Sequence, residues 1–133
     1  MVNRRDILSI GMGLVVYAAG AAPYLSFRLA VYGVMRRREN PPAFERERQN
    51  AAAALRSFHY DVALSADPAT LQLLVDVAGR DRVLFGSDHP QVPEDVLDGT
   101  AQSVVRAATE NAAFRGIVRD NAVALFPRLK ALD

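Results

Sequence analysis

Arg82-Val83-Leu84-Phe85-Gly86-Ser87-Asp88-His89-Pro90 is the stretch on which the reading of this chain turns. Val83, Leu84 and Phe85 make a short apolar run of the length and composition of a buried strand. Gly86 follows at once and lets the backbone turn at little steric cost. An acid just past an apolar strand lies where α/β folds gather their sites, at the strand's C-terminal end. In that place Asp88 can ligate a divalent metal or act as a general base toward a metal-bound water. The plainer alternative is that it caps the following turn. His89 either reaches a substrate from the loop or is simply a turn residue.

Working outward, residues 58–64 (Phe-His-Tyr-Asp-Val-Ala-Leu) read as a second strand. Ser65 or Asp67 can cap the helix that follows, with Pro68 at its first position. Leu71, Leu74, Val75 and Ala78 give that helix one apolar face, and Gly79 supplies its stop. Towards the N-terminus, residues 14–17 form a short β-prone run, followed by small residues up to Pro23. A helix over residues 24–35 is then predicted, with Leu25, Leu29, Tyr32 and Val34 as its apolar contacts. Residues 36–42 are a hydrophilic break closed by paired prolines. Phe44–Arg56 is charged and alanine-rich, the pattern of a solvated helix. Beyond the central motif, residues 93–99 read as a loop or short helical turn. Residues 101–109 and 114–126 read as two further helices, the second ended by Pro127. Strand followed by helix, three times over, predicts a parallel α/β sheet.

Composition narrows the function classes. With 16 basic and 15 acidic residues among 133, the net charge is +1, so no nucleic-acid or acidic partner is indicated. There is no cysteine, which excludes disulfides and thiolate metal sites. The absence of tryptophan argues against a base-stacking platform. Two arginines near the start precede residues 7–27, which carry no charge. That arrangement suits an export signal or membrane anchor. Gly11, Gly13, Gly20 and Pro23 interrupt the run, which suits a strand, a loop and a core helix better. A cytoplasmic protein without a membrane partner is therefore expected, with export or anchoring through residues 7–27 as the alternative.

Residues 82–90 resemble the last-strand signature of the amidohydrolase-related family, in the branch of aminocarboxymuconate-semialdehyde decarboxylase and related aromatic-acid decarboxylases. Residues 58–65 are similar to that family's seventh strand. Asn121-Ala122-Val123-Ala124-Leu125-Phe126-Pro127-Arg128-Leu129 resembles its closing helix, and residues 19–25 with Arg28-Leu29 the segment after its sixth strand. The resemblance implies a metal-dependent (β/α)8 TIM barrel of which residues 14–133 are about strands 6–8 and the closing helices, with residues 1–13 unmatched. It also implies a divalent metal, commonly zinc. The family holds it by a His-x-His pair on the first strand, a histidine on the fifth and an aspartate on the eighth, and a sixth-strand histidine assists. Asp88 matches the eighth-strand aspartate, whereas Tyr17 falls on the sixth-strand histidine. The implied chemistry is hydrolysis, or non-oxidative decarboxylation of a small aromatic carboxylic acid, with Asp88 and His89 as site residues.

A complete barrel of this kind needs about 250 residues. A catalytic zinc usually takes three protein ligands and a water. The chain has two histidines; His59, in mid-strand, reads as packing rather than as a ligand. Asp61, at the end of the same run, either supports the site from behind or is simply a strand-end polar residue. Three expectations follow. The isolated chain lacks a complete metal site. The open sheet edges draw in a second copy or another chain. The polypeptide is a portion of such an enzyme, through an incomplete gene model, a non-catalytic remnant or a subunit that completes another barrel.

Overall fold

The computed structural model describes residues 15–16, 19–37 and 43–132. Its centre is a three-stranded sheet in the order β1 (Val15–Val16), β2 (His59–Asp61) and β3 (Val83–Leu84). Both pairings are parallel, with Val15 opposite His59 and Tyr60 opposite Val83. The ladder between β2 and β3 runs from the Tyr60 N–H to the Arg82 carbonyl (2.8 Å) and from the Val62 N–H to the Leu84 carbonyl (3.1 Å).

Alternation along these strands splits their side chains between two faces. Tyr60, Val62 and Val83 turn towards the helices and join Leu71, Leu74, Val104 and Ile117 in one buried cluster. Each large aliphatic side chain fully buried there is worth roughly 1.5–3 kcal/mol. His59, Asp61 and Leu84 alternate onto the other face.

The helix α3 (Pro68–Ala78) forms as the residue pattern predicts. The Asp67 carboxylate caps it, accepting from the backbone N–H of Ala69 (3.0 Å) and Thr70 (3.3 Å) and from the Thr70 hydroxyl. Leu71, Leu74 and Ala78 are buried, and Gly79 ends the helix at φ 97°, where a side chain would be strained. The helix α2 (Phe44–Arg56) is mostly solvated, burying only Ala51 and Leu55. The Tyr60 hydroxyl donates to the Leu55 carbonyl (2.7 Å), which satisfies one of that helix's terminal acceptors.

Four local expectations need correction. The run 58–64 is strand only over His59–Asp61. The Asp61 carboxylate accepts from the Ala63 N–H (3.0 Å), and that short-range bond pulls the chain out of the ladder into a turn, with Leu64 at φ 58°. Residues 93–99 are not a loop. They begin α4 (Glu94–Glu110), whose first turn carries Glu94 and Asp95, favourable against the helix dipole. Residues 114–126 are not one helix but a 3-10 turn (Ala112–Phe114), α5 (Arg115–Val118) and α6 (Asp120–Leu125). The break has a cause: the Ile117 carbonyl, which a continuous helix would use internally, accepts from the Phe85 N–H (3.0 Å) at the end of β3. Finally, α1 (Ala22–Arg36) buries Ala22 and Ala30, whereas the predicted contacts Leu25, Leu29 and Tyr32 are exposed.

Asn121 locks the last helices to the sheet. It is buried, and its amide donates to the carbonyls of Arg80 and Val83, both at 2.7 Å. Its side-chain oxygen packs against Gly116, where a Cβ would collide with it. Asn121→Ala strands a buried acceptor on Val83 and a partly buried one on Arg80 and is expected to lower stability by about 2 kcal/mol in urea unfolding. Asn121→Asp, similar in shape but unable to donate when ionised, is expected to cost at least as much; a neutral effect of both would remove this role.

Candidate active site

The loops that leave the C-terminal ends of the strands meet one another. The turn after β1 (Ala19–Ala21) approaches the loop after β2: a Cβ on Gly20 would lie 2.6 Å from the Ser65 Oγ. The loop after β3 approaches the end of β2 in the same way. A Cβ on Gly86 would lie 2.7 Å from the Asp61 Cβ, so only glycine admits so close a neighbour. These contacts bring Asp61 and the start of the Gly86-Ser87-Asp88 turn to one mouth.

Asp88 is half-buried and adopts φ 58°, a left-handed conformation that aspartate tolerates better than most residues. Its carbonyl accepts from the Gln91 N–H (2.7 Å), closing a turn over His89 and Pro90. His89 is exposed and its backbone N–H donates to the Ser87 hydroxyl (3.3 Å). The Asp88 backbone thus builds the turn, and among the described residues its side chain makes no capping bond.

The remaining candidates separate. Tyr17 lies outside the described residues. His59 is level with Arg82, at the N-terminal end of β3, whereas Asp88 lies beyond that strand's C-terminal end. His59 is buried, and among the described residues its Nδ1 has no hydrogen-bond partner, which fits packing. Among the described residues no group of three or more His, Cys, Asp or Glu side chains is placed to hold a metal ion. The divalent ion that the resemblance implies therefore does not fit the described residues alone. The contact of Asp61 with Gly86 is the feature that residue patterns missed; its only trace was a glycine directly after an apolar strand.

A parallel β/α arrangement with carboxylates gathered where its strands end is the ground plan of β/α-barrel enzymes. The chain belongs to the amidohydrolase family, whose sequence model, described as Amidohydrolase, matches residues 18–128. It is 31% identical over 116 residues to the 6-methylsalicylic acid decarboxylase of Penicillium expansum, covering 87% of this chain and 35% of that protein. It is also 31% identical over 119 residues to the 6-methylsalicylic acid decarboxylase acuB of Aspergillus aculeatus, covering 88% of this chain and 36% of the relative. In fold it is similar to the crystal structure of Metarhizium anisopliae IDCase in apo form, at a TM-score of 0.57 and 22% identity, over 85% of this chain and 33% of that one. The fold is thus that of part of a TIM barrel, and the chain spans about a third of the length of these relatives. None of the described helices is long and apolar enough to cross a membrane; the first part of the 7–27 run lies outside the described residues.

Burial holds the His59 imidazole below its ordinary pKa of 6.5; the Arg82 guanidinium adds to this and Asp81 opposes it. The unfolded chain therefore binds a proton more readily than the folded one just below 6.5. Stability from this source is complete above that value and declines as the pH falls from it towards the folded-state pKa. Urea midpoints measured across this range are expected to drop on acidification, and His59→Phe is expected to flatten the profile. An unchanged slope in the variant would show that His59 is not the group responsible.

Proposed function

We propose that these residues are the sixth to eighth β/α units of a barrel that decarboxylates a small aromatic carboxylic acid without oxidation, with Asp88 and His89 at its mouth. The observation that carries this reading is the position of Asp88, directly past a strand paired in parallel with β2, in a chain whose matched relatives are decarboxylases. Hydrolysis is the other activity expected in the family.

The chemistry asks little of the protein but demands placement. A proton is delivered to the ring carbon that bears the carboxylate. The bond to the carboxylate then breaks, its electron pair restores the ring, and carbon dioxide leaves. Asp88 would bind the metal ion or relay a proton to that carbon, and a positioned proton-transfer group contributes roughly 10²–10⁴-fold. Asp61, against Gly86, supports the turn that carries Asp88. His89, exposed beside it, can contact the substrate. A divalent ion would bind and orient the substrate carboxylate, but its further ligands must come from beyond the described residues.

A second reading has its own support. With no ligand trio among the described residues, the chain by itself can serve as a non-catalytic unit that completes a barrel. Two measurements separate the readings. The purified chain titrated with zinc at neutral pH is expected to show no stoichiometric tight site. In a chimera, this chain's matched residues replace the 116-residue matching segment of the Penicillium expansum relative. That chimera is expected to retain decarboxylation of 6-methylsalicylic acid, and Asp88→Asn to lower its turnover by about a hundredfold or more. A folded, inactive chimera supports the non-catalytic reading; full activity with Asn at position 88 eliminates Asp88 as the acid.

A further inference from the structure

Among the described residues, Leu64 and Asp88 are the two other than glycine with positive φ, both at 58°, and both stand on the same rim. Leu64 comes three residues past the end of β2 and Asp88 four past the end of β3, and those strands are parallel neighbours. Aspartate tolerates a left-handed backbone because its short polar side chain can bond locally. Leucine has no such means, and its Cβ crowds the following carbonyl.

Neither the turn nor the core accounts for a leucine here. The Ser65 N–H donates to the Val62 carbonyl (2.9 Å), closing a four-residue turn in which Leu64 is third. Turns with positive φ at that position ordinarily take glycine or asparagine there. Val62 and Ala63 are buried and Ala66 packs against the buried cluster, whereas Leu64 is 60% exposed.

Its neighbours say where it stands. On one side Ser65 lies against Gly20 of the turn after β1; on the other, Asp61 lies against Gly86, where the chain heads for Asp88. Leu64 is therefore carried by the middle strand, between the loops of the two flanking strands. Backbone strain of this kind persists at sites that meet a ligand. The loop after β3 presents Ser87, Asp88 and His89, all polar. An aromatic carboxylic acid offers a carboxylate to polar groups and a ring that needs an apolar surface. We propose that Leu64 is a specificity-determining residue, held at the mouth by the left-handed turn after β2 so that its side chain packs on the ring of the aromatic acid on which Asp88 acts. This rests on the decarboxylase reading above and adds the group that recognises the ring.

Variants at this position separate strain from contact. In the full chain, Leu64→Gly is expected to raise the urea midpoint, because steric relief outweighs the entropy that glycine adds to the unfolded state. Leu64→Ala keeps the Cβ and is expected to leave the midpoint unchanged. In the chimera described above, both are expected to raise KM for 6-methylsalicylic acid roughly tenfold or more with kcat little changed, the signature of a contact made equally in ground and transition states. Leu64→Met keeps an apolar side chain and is expected to restore the parent KM. Where the folded chimera does not turn over, the dissociation constant from titration calorimetry takes the place of KM. Affinity indifferent to Leu64→Gly and Leu64→Ala overturns the inference. So does a fall in the chimera's urea midpoint with Leu64→Ala at unchanged affinity, which assigns the side chain to packing within the barrel. A Leu64→Gly chain less stable than the parent overturns the strain argument and the inference with it. Leu64-dependent binding by an inactive chimera removes the decarboxylase reading alone, an active chimera indifferent to Leu64 removes the inference alone, and no binding of the acid by the folded parent chimera removes both.

Discussion

β2 and β3 form a short parallel ladder, in which the Tyr60 and Val62 N–H groups donate to the Arg82 and Leu84 carbonyls, and the rest of the molecule is arranged around it. A parallel pair cannot be joined by a tight turn, so the chain must cross over between the two strands, and α3 makes the crossing. The crossing places Leu71 and Leu74 over Tyr60, Val62 and Val83. Behind β3, the Ile117 carbonyl and the Asn121 amide take up main-chain groups that neighbouring elements would otherwise leave unpaired. Backbone satisfaction at one strand thus dictates where the last three helical pieces sit.

The same ladder produces the candidate site. Register sets Asp61 opposite Leu84, and the chain leaving β3 then passes over Asp61 at Gly86. Asp88 comes next, in a left-handed conformation within a hydrogen-bonded turn. The acid is therefore held by the strand geometry rather than by any side-chain partner seen among the described residues.

The packing is lopsided. On the helix side of β2 and β3 the core is closed, whereas α1 keeps its large apolar residues in solvent and packs through alanine and glycine. An isolated domain minimising exposed apolar surface would have turned that helix the other way. The small-residue stripe allows α1 and α2 to approach closely, with Gly33 against Glu47, and fixes the helix's rotation.

Periodicity, turn chemistry and caps were sufficient for the local elements. Asp67-Pro68 starts a helix, Gly79 stops one, and residues 82–85 make a strand, because each depends on side chains acting within a few residues of themselves. The motif around Asp88 also carried the family from sequence alone. What the sequence could not decide are outcomes of contacts between distant segments. The split of residues 114–126 depends on a bond from Phe85 to Ile117, and the placing of Asp61 against Gly86 depends on sheet register. The sequence showed that α1 has an apolar face; only the tertiary structure showed that Leu25, Leu29 and Tyr32 stay exposed while Ala22 and Ala30 pack. Amphipathicity records that a side chain seeks burial, whereas what buries it is set by the positions of elements far away in the chain.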